Sequence, residues 1–364
     1  VRRVGRRLRL WAGGRFAEPV VVLESDDWGL RRRPAADLVR PWGRPTGWAE
    51  EASETAADLD RLHEVLGRHG AVLTMNVIAA NPDHAAIEAD GFTRYHDRPV
   101  DETAGEDVVA GFRRGQASGA FSLQLHGRAH ADPDAWLADL RDGPPGAREL
   151  FDAGVDGGLS LTEEHAWRYH SEVASWSTAR HRSAGELEGW LRPAVETVTR
   201  LAGRAPRAVV GPHYVVTPEA EAAWHRLGLE YLEAAEHRLD PAVGTARVSY
   251  LGQPGPALVH LTRTVRFDPR PGRRGHHVAD TTEAMTRCFA QGLPAVVDTH
   301  RINFTGPWAD DAADELDLLL AAADRAGARY LDSVELGDAV VGDQDDLRPV
   351  GGLTRSVARV LVRP

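Results

Sequence analysis

Val20-Val21-Val22-Leu23-Glu24-Ser25-Asp26-Asp27-Trp28-Gly29 is the stretch whose reading decides the fold. Its first four residues form a continuous β-branched and aliphatic run, the composition of a strand buried on both faces of a parallel sheet. A helix is predicted next over residues 56–69, where Leu59, Leu62, Val65 and Leu66 recur at helical spacing before Gly70. Residues 71–77 read as a second strand, 107–116 as a helix and 121–125 as a third strand. Helices are predicted over 132–140 and 161–176, around a Gly/Pro turn at 143–146.

Further on, Ser183 followed by Glu186 signals a capping box for a helix over 183–202, and Thr217-Pro218 starts a helix over 218–227. Strands are predicted at 208–210, 229–232, 294–297 and 328–331, with helices at 281–291 and 311–326. Residues 247–250 and 257–265 suggest an added hairpin, and 357–362 an edge strand. Strands alternating with helices predict an α/β fold on a parallel sheet, either barrel or doubly wound. No internal repeat or linker divides the chain, so one domain with insertions is the parse. A basic extension covers residues 1–18 and the body 19–335. Insertions fall at about 141–182 and 236–278, and residues 336–364 pack on the body.

Composition excludes several function classes. The chain has 364 residues, is 42% hydrophobic and 27% charged, and is that of a soluble globular protein. A net charge of −11 without a basic face argues against nucleic-acid binding; the one basic cluster is Arg2, Arg3, Arg6, Arg7 and Arg9. All 43 basic residues are Arg, which excludes a P-loop lysine, a Schiff-base lysine and a Ser–Lys dyad. Cys288 is the single cysteine, on a buried helix position, so thiolate metal clusters and intrachain disulfides are excluded. No apolar run is long enough to span a membrane and the start lacks an apolar signal segment, so the expected location is cytoplasmic. Nothing in the sequence specifies an oligomeric state.

Chemistry-bearing residues cluster at three strand ends, where active sites of parallel α/β folds lie. The adjacent carboxylates of Asp26 and Asp27 repel unless a cation intervenes, although such a pair also serves as a cap. His126 and His130 follow the third strand at a spacing that aligns two imidazoles on a helical turn, as in zinc sites. His300 ends a late strand, placed to protonate a leaving group; alone it also suits a hydrogen-bonded loop. Weaker candidates are Glu163, Glu164, His165 and His170 on one predicted helix, which equally fit a solvated face, and His276-His277 in a surface loop.

Taken together these words resemble the polysaccharide deacetylase (NodB-homology, carbohydrate esterase) family, in a divergent branch. Asp26-Asp27 is similar to its first motif and His126-x-x-x-His130 to its second. Gly211-Pro212-His213-Tyr214 and Asp298-Thr299-His300 are similar to the third and fourth, over roughly residues 20–332. The resemblance implies a distorted (β/α) barrel in a single domain with insertions. It implies one divalent metal ion on Asp27, His126 and His130, zinc first, with cobalt, nickel, manganese or iron fitting the same donors. Asp26 would be the general base and His300 the general acid, with a backbone N–H near Tyr214 on the oxyanion. Trp28, Tyr214, His213, Asp298, Arg301 and Asn303 would meet the substrate, an acylated carbohydrate or small molecule.

Three positions depart from the family's pattern. Trp28 stands before Gly29, and Gly211 takes the place of an Arg that orients the base, for which Arg207 or His213 could substitute. Asp298 replaces a Leu that lines the acetyl pocket. The implied activity is hydrolysis of an acyl amide or ester. Alternatives are a catalytically silent carbohydrate-binding protein, or hydrolysis of a non-sugar amide, imide or formamide C–N bond.

Overall fold

Strand β1 runs over Val20–Trp28, and the alternation of its side chains sorts the molecule into two cores. Val21 and Leu23 face outward into a large cluster shared with the helices, while Val20 and Val22 face inward. The computed structural model describes residues 15–41, 43, 45–155, 169, 171–174, 182–235, 237–240, 245–248 and 251–342. The N-terminal arginines, Glu163, Glu164, His165, His170 and the 357–362 segment lie outside the described residues.

After β1 come α1 (Ala56–His69), β2 (Leu73–Val77), α2 (Glu106–Ser118), β3 (Phe121–Leu125) and α3 (Pro133–Asp142). They are followed by α4 (Ala184–Ala202), β4 (Ala208–Val210), α5 (Pro218–Arg226), β5 (Tyr231–Ala234), β6 (Val259–Thr262) and β7 (Val265–Arg266). The remainder is α6 (Val278–Ala290), β8 (Ala295–His300), α7 (Ala309–Arg325), β9 (Arg329–Leu331) and α8 (Ser333–Val341). The predicted caps form: Ser183 and Glu186 make a reciprocal capping box, and Thr217 caps α5 with Pro218 at its first turn.

Parallel pairing runs β6-β5-β4-β3-β2-β1-β8-β7, with β9 beside the start of β1. The two ends of that path are joined by two residues. Arg263 donates its N–H to the Ala234 carbonyl of β5, and Thr264 donates to the Val296 carbonyl of β8. One chain segment therefore bridges both edges, and the sheet curls into a distorted barrel. Among the described residues, the expected pairing of 247–250 with 257–265 is not present. Thr245–Val248 pairs antiparallel with His237–Asp240, and 259–266 joins the barrel as β6 and β7. Alternation in a short apolar run marks a strand but cannot name its partner.

Inside, the barrel is layered. Its floor is apolar: Val20, Val22, Ala208, Tyr231, Leu261 and Val296 pack on Leu336, Ala339 and Val340 of α8, which plugs that end. One pleat higher along β1 the inward residue is Glu24, and above it Asp26; both are buried. Among the described residues, no helix is long and apolar enough to cross a membrane.

Candidate metal centre and active site

At the end of β1 the strand register with β2 shifts between Ser25 and Trp28, and Asp27 takes a left-handed backbone, φ 73°. A regular strand would send consecutive side chains to opposite faces. The left-handed residue breaks that alternation, so Asp26 and Asp27 both serve the barrel mouth. Trp28 anchors the irregularity: its indole N–H donates to Ser25 Oγ at 3.0 Å, and its ring packs edge-on against Phe112. Gly29 follows at φ 87°, where a Cβ would meet the Ile78 carbonyl at 2.8 Å.

Asp27, His126 and His130 converge. Asp27 Oδ1 lies 3.3 Å from His126 Nε2 and 3.3 Å from His130 Nε2, and all three residues are buried. His126 Nδ1 sits 3.1 Å from the Val210 carbonyl, which can only accept, so Nδ1 carries the ring's hydrogen. A neutral His126 then points its Nε2 lone pair at a carboxylate oxygen. Asp27 Oδ1 accepts no hydrogen bond of good geometry. Lone pairs facing at this range repel unless a proton or a metal cation lies between them. The edges of a tetrahedron with metal–ligand bonds of about 2.0–2.1 Å are about 3.3 Å long, so a divalent ion fits this donor set. Without one, the carboxylates of Asp27 and Asp26 raise the His126 pKa against the opposing effect of burial.

The loop bearing the imidazoles is not the helical turn that their spacing suggested. Gly127 and His130 adopt left-handed φ values of 88° and 63°. The loop is held by Glu172, whose carboxylate accepts the backbone N–H groups of Arg128 (2.7 Å) and Ala129 (2.8 Å) and the Trp190 indole N–H (2.7 Å). A Cβ on Gly127 would lie 2.1 Å from Glu172 Oε1, so the clamp requires glycine there. Four of the five left-handed non-glycine residues among those described belong to this site: Asp27, His130, His213 and Tyr214. Such conformations cost about 1–3 kcal/mol each and persist where surrounding contacts enforce them.

Asp26 has the opposite surroundings. Arg263 grips both its oxygens, Nη1 to Oδ2 and Nη2 to Oδ1, at 2.7 Å each, and Asn76 donates to Oδ1 at 2.9 Å. The same guanidinium reaches Glu24 (2.7 Å), Asp298 (2.8 Å), Glu233 (3.2 Å) and the Tyr214 hydroxyl (2.9 Å). Burial works to raise the Asp26 pKa, but the charge and hydrogen bonds of Arg263 outweigh it and hold it well below the usual carboxylate range. Burial, reinforced by Glu233, pushes Glu24 well above that range despite Arg263. One guanidinium among four carboxylates thus lowers the pKa of Asp26, while burial and Glu233 push that of the deeper Glu24 the other way. His300 stands across the mouth, Nε2 3.9 Å from Asp26 Oδ2, with its side chain 25% exposed.

Arg263, which no motif marked, occupies the place expected for an arginine on Asp26. Arg207 does not substitute: it pairs with Glu230 and Asp338. His213 packs against His130 with tilted rings, centres 4.7 Å apart. Gly211 cannot carry a side chain, because a Cβ would meet the Val215 carbonyl at 2.4 Å. The guanidinium therefore arrives from the segment that closes the barrel.

Other substrate-facing expectations need correction. Trp28 is fully buried against the core, with no face for a sugar. Arg301 is also fully buried; it pairs with Glu51 and Glu54 and ties the segment after β8 to the segment after β1. Asn303 is buried too and donates to Thr299 Oγ1 and the Phe267 carbonyl. The Tyr214 N–H donates to the Gly211 carbonyl at 2.8 Å and the Val215 N–H to Pro212, so neither is aimed at an oxyanion. Tyr214 and Asp298 do reach the site: the tyrosine hydroxyl is 3.2 Å from both Asp298 oxygens. Asp26, Asp298 and His300 present ligand atoms within 4.8 Å of one another. The aromatic residue beside His300 is Trp48, half-buried, its ring centre 5.0 Å from the imidazole. It lies in a short 3-10 turn that no periodicity signals.

No protein family matches the chain by sequence, and no curated protein does. Solved structures of similar shape include a peptidoglycan N-acetylglucosamine deacetylase, at 12% identity and TM-score 0.42, covering 89% of this chain and 90% of that one. A family 4 acetyl xylan esterase from Clostridium thermocellum with a cobalt ion is 10% identical at TM-score 0.41, covering 87% and 89%. A CE4 family pseudoenzyme from Bacillus anthracis is 9% identical at TM-score 0.39, covering 88% and 66%. At such identities and scores the likeness assigns no residue a role.

Proposed function

We propose that this chain is a metal-dependent hydrolase that removes an acyl group from an amide or ester on a carbohydrate or glycosylated metabolite. The observation that carries the reading is the buried, unsatisfied Asp27 Oδ1 faced by two imidazole nitrogens at 3.3 Å. Asp27, His126 and His130 would hold a divalent cation, which supplies Lewis acidity to the acyl carbonyl and makes water a stronger acid. Asp26 is the base: Arg263 keeps it ionised and fixes both its oxygens. His300, on the far side of the mouth and partly open to solvent, gives a proton to the departing amine or alcohol. Tyr214 and Asp298 form a polar wall beside it, and His213 packs behind His130.

Metal analysis of protein purified without chelator, together with acetate release from N-acetylglucosamine oligomers and acetylated xylan, tests this reading. We expect a single bound equivalent in the wild type, lost in Asp27→Ala and His126→Ala, and acetate release abolished by His300→Ala. Undiminished metal in both ligand variants would end the proposal. The polar wall at Asp298, where an apolar pocket would suit a methyl group, favours a second substrate within the same chemistry: a formyl group or a non-sugar amide. Comparing acetate and formate release from paired amines separates the two.

A further inference from the structure

The rim next to His300 carries more positive charge than its own carboxylates absorb. Asp268 is gripped through both oxygens by Arg270, at 2.7 and 3.0 Å, and Arg270 is buried with its guanidinium over the Trp48 ring. Arg273 approaches the same carboxylate at 3.3 Å and remains 41% exposed. The arrangement repeats at Asp298. Arg263 and Tyr214 occupy its oxygens, and Arg266 adds a looser contact at 3.4 Å while 59% exposed. Both outer arginines are thus second cations on carboxylates that already hold a closer one.

They also flank one place. Arg266 touches Asp298, whose carboxylate lies within 4.8 Å of a His300 ring nitrogen. A Cβ on Gly47 would lie 3.7 Å from Arg270 Nη1 and 3.8 Å from Arg273 Nη2, and the next residue is Trp48, against the His300 ring. Both guanidiniums therefore lie at contact distance from the turn that carries Trp48. A half-buried indole under the buried Arg270, with the more exposed Arg273 on the same carboxylate and Arg266 on Asp298, suits a ring that carries an oxyanion, because Arg binds such groups through forked, charge-assisted hydrogen bonds.

We propose that this rim is an anion-reading subsite: Trp48 stacks on the substrate ring while Arg266 and Arg273 bind an oxyanion substituent on it, a carboxylate or a phosphate. The proposal rests on the hydrolase reading for its substrate class, but it makes a separate claim about recognition.

Calorimetric titration with three probes tests it: N-acetylglucosamine, N-acetylglucosamine 6-phosphate and N-acetylmuramic acid, each at low and at high salt. At least one anionic sugar is expected to bind roughly tenfold more tightly than the neutral one, with the advantage shrinking in salt. Which of the two does so identifies the substituent. Arg266→Gln/Arg273→Gln should erase the preference. Arg192→Gln/Arg226→Gln, which removes two arginines bound to Glu188, should keep it. Equal affinity for all three sugars, no measurable binding of any, or a preference that survives in the rim variant overturns the subsite. Acetate release is followed in parallel. A retained anion preference without turnover counts against the hydrolase reading alone, and turnover without preference counts against the subsite alone.

Discussion

Asp26 and Asp27 are neighbours in the chain with opposite surroundings. Asp26 is saturated by an internal cation, with Arg263 on both its oxygens and Asn76 alongside. Asp27 faces two imidazoles and accepts no well-formed hydrogen bond at Oδ1. The first corner is complete in the polypeptide alone; the second gathers three donors that could hold a metal ion. Asp27 itself is the left-handed residue, so a single backbone irregularity divides the roles of two identical side chains.

The largest way to break this contrast is Arg263→Met. It strands Asp26, Asp298, Glu24 and Glu233 without their shared guanidinium, and stability should fall by about 3–5 kcal/mol in denaturant unfolding. Asp27→Ala in chelator-treated protein strands no guanidinium and should cost below about 1.5 kcal/mol. Equal losses in the two variants would mean that the corners do not differ. The tryptophans offer a parallel test. Trp28→Ala should cost about 3–5 kcal/mol through the cavity it leaves, whereas Trp48→Ala should leave the melting temperature nearly unchanged and raise KM for the sugar.

Next in size is metal removal. Chelation should lower wild-type stability by about 2.7 kcal/mol when the free ion was at a hundredfold excess over its Kd, and His126→Ala should show no such response. A thermal shift of equal size in both proteins would move the ion to another site.

The smallest effect lies far from the mouth and serves as a reference. His69 at the end of α1 meets Asp324 at 2.5 Å and Asp317 at 3.1 Å on α7. Its pKa is raised: burial opposes protonation, but the two carboxylates outweigh it. The stability it contributes is therefore fully present below about pH 6.5, the unfolded value, and fades as pH rises through the folded one. Asp317 is shifted down by Arg68 first and His69 second, and Asp324 by His69 and Tyr330 against the opposing effect of burial, so their share fades as pH falls through their own folded values. Melting temperatures of His69→Gln should differ from wild type by a few degrees or less, with the difference fading as pH rises above about 6.5. A difference confined to alkaline pH would contradict the assignment.

Local signals carried much of the architecture. Helix α1 matches residue for residue, the Ser183/Glu186 box forms as its spacing indicates, and β3 and β4 coincide with their apolar runs. The Asp27, His126 and His130 set was legible because each donor sits at the end of a recognisable strand. The fate of residues 257–265 was not legible, since an apolar run carries no record of which strand it will pair with. Arg263 was missed for the same reason: among 43 arginines nothing local distinguishes it. Arg301 and Asn303 adjoin His300 in sequence, which suggests a place at the substrate. They are buried because the backbone turns inward after β8.

Sequence by itself determined where strands and helices form, where they are capped, and which strand ends carry carboxylate and imidazole. Those properties depend on neighbours a few residues away. Tertiary structure alone decided which arginine neutralises Asp26, which tryptophan meets solvent, and how two adjacent aspartates part company. Each depends on the sheet curling until residue 263 stands over residue 26, a contact across 237 positions of chain that no local pattern encodes.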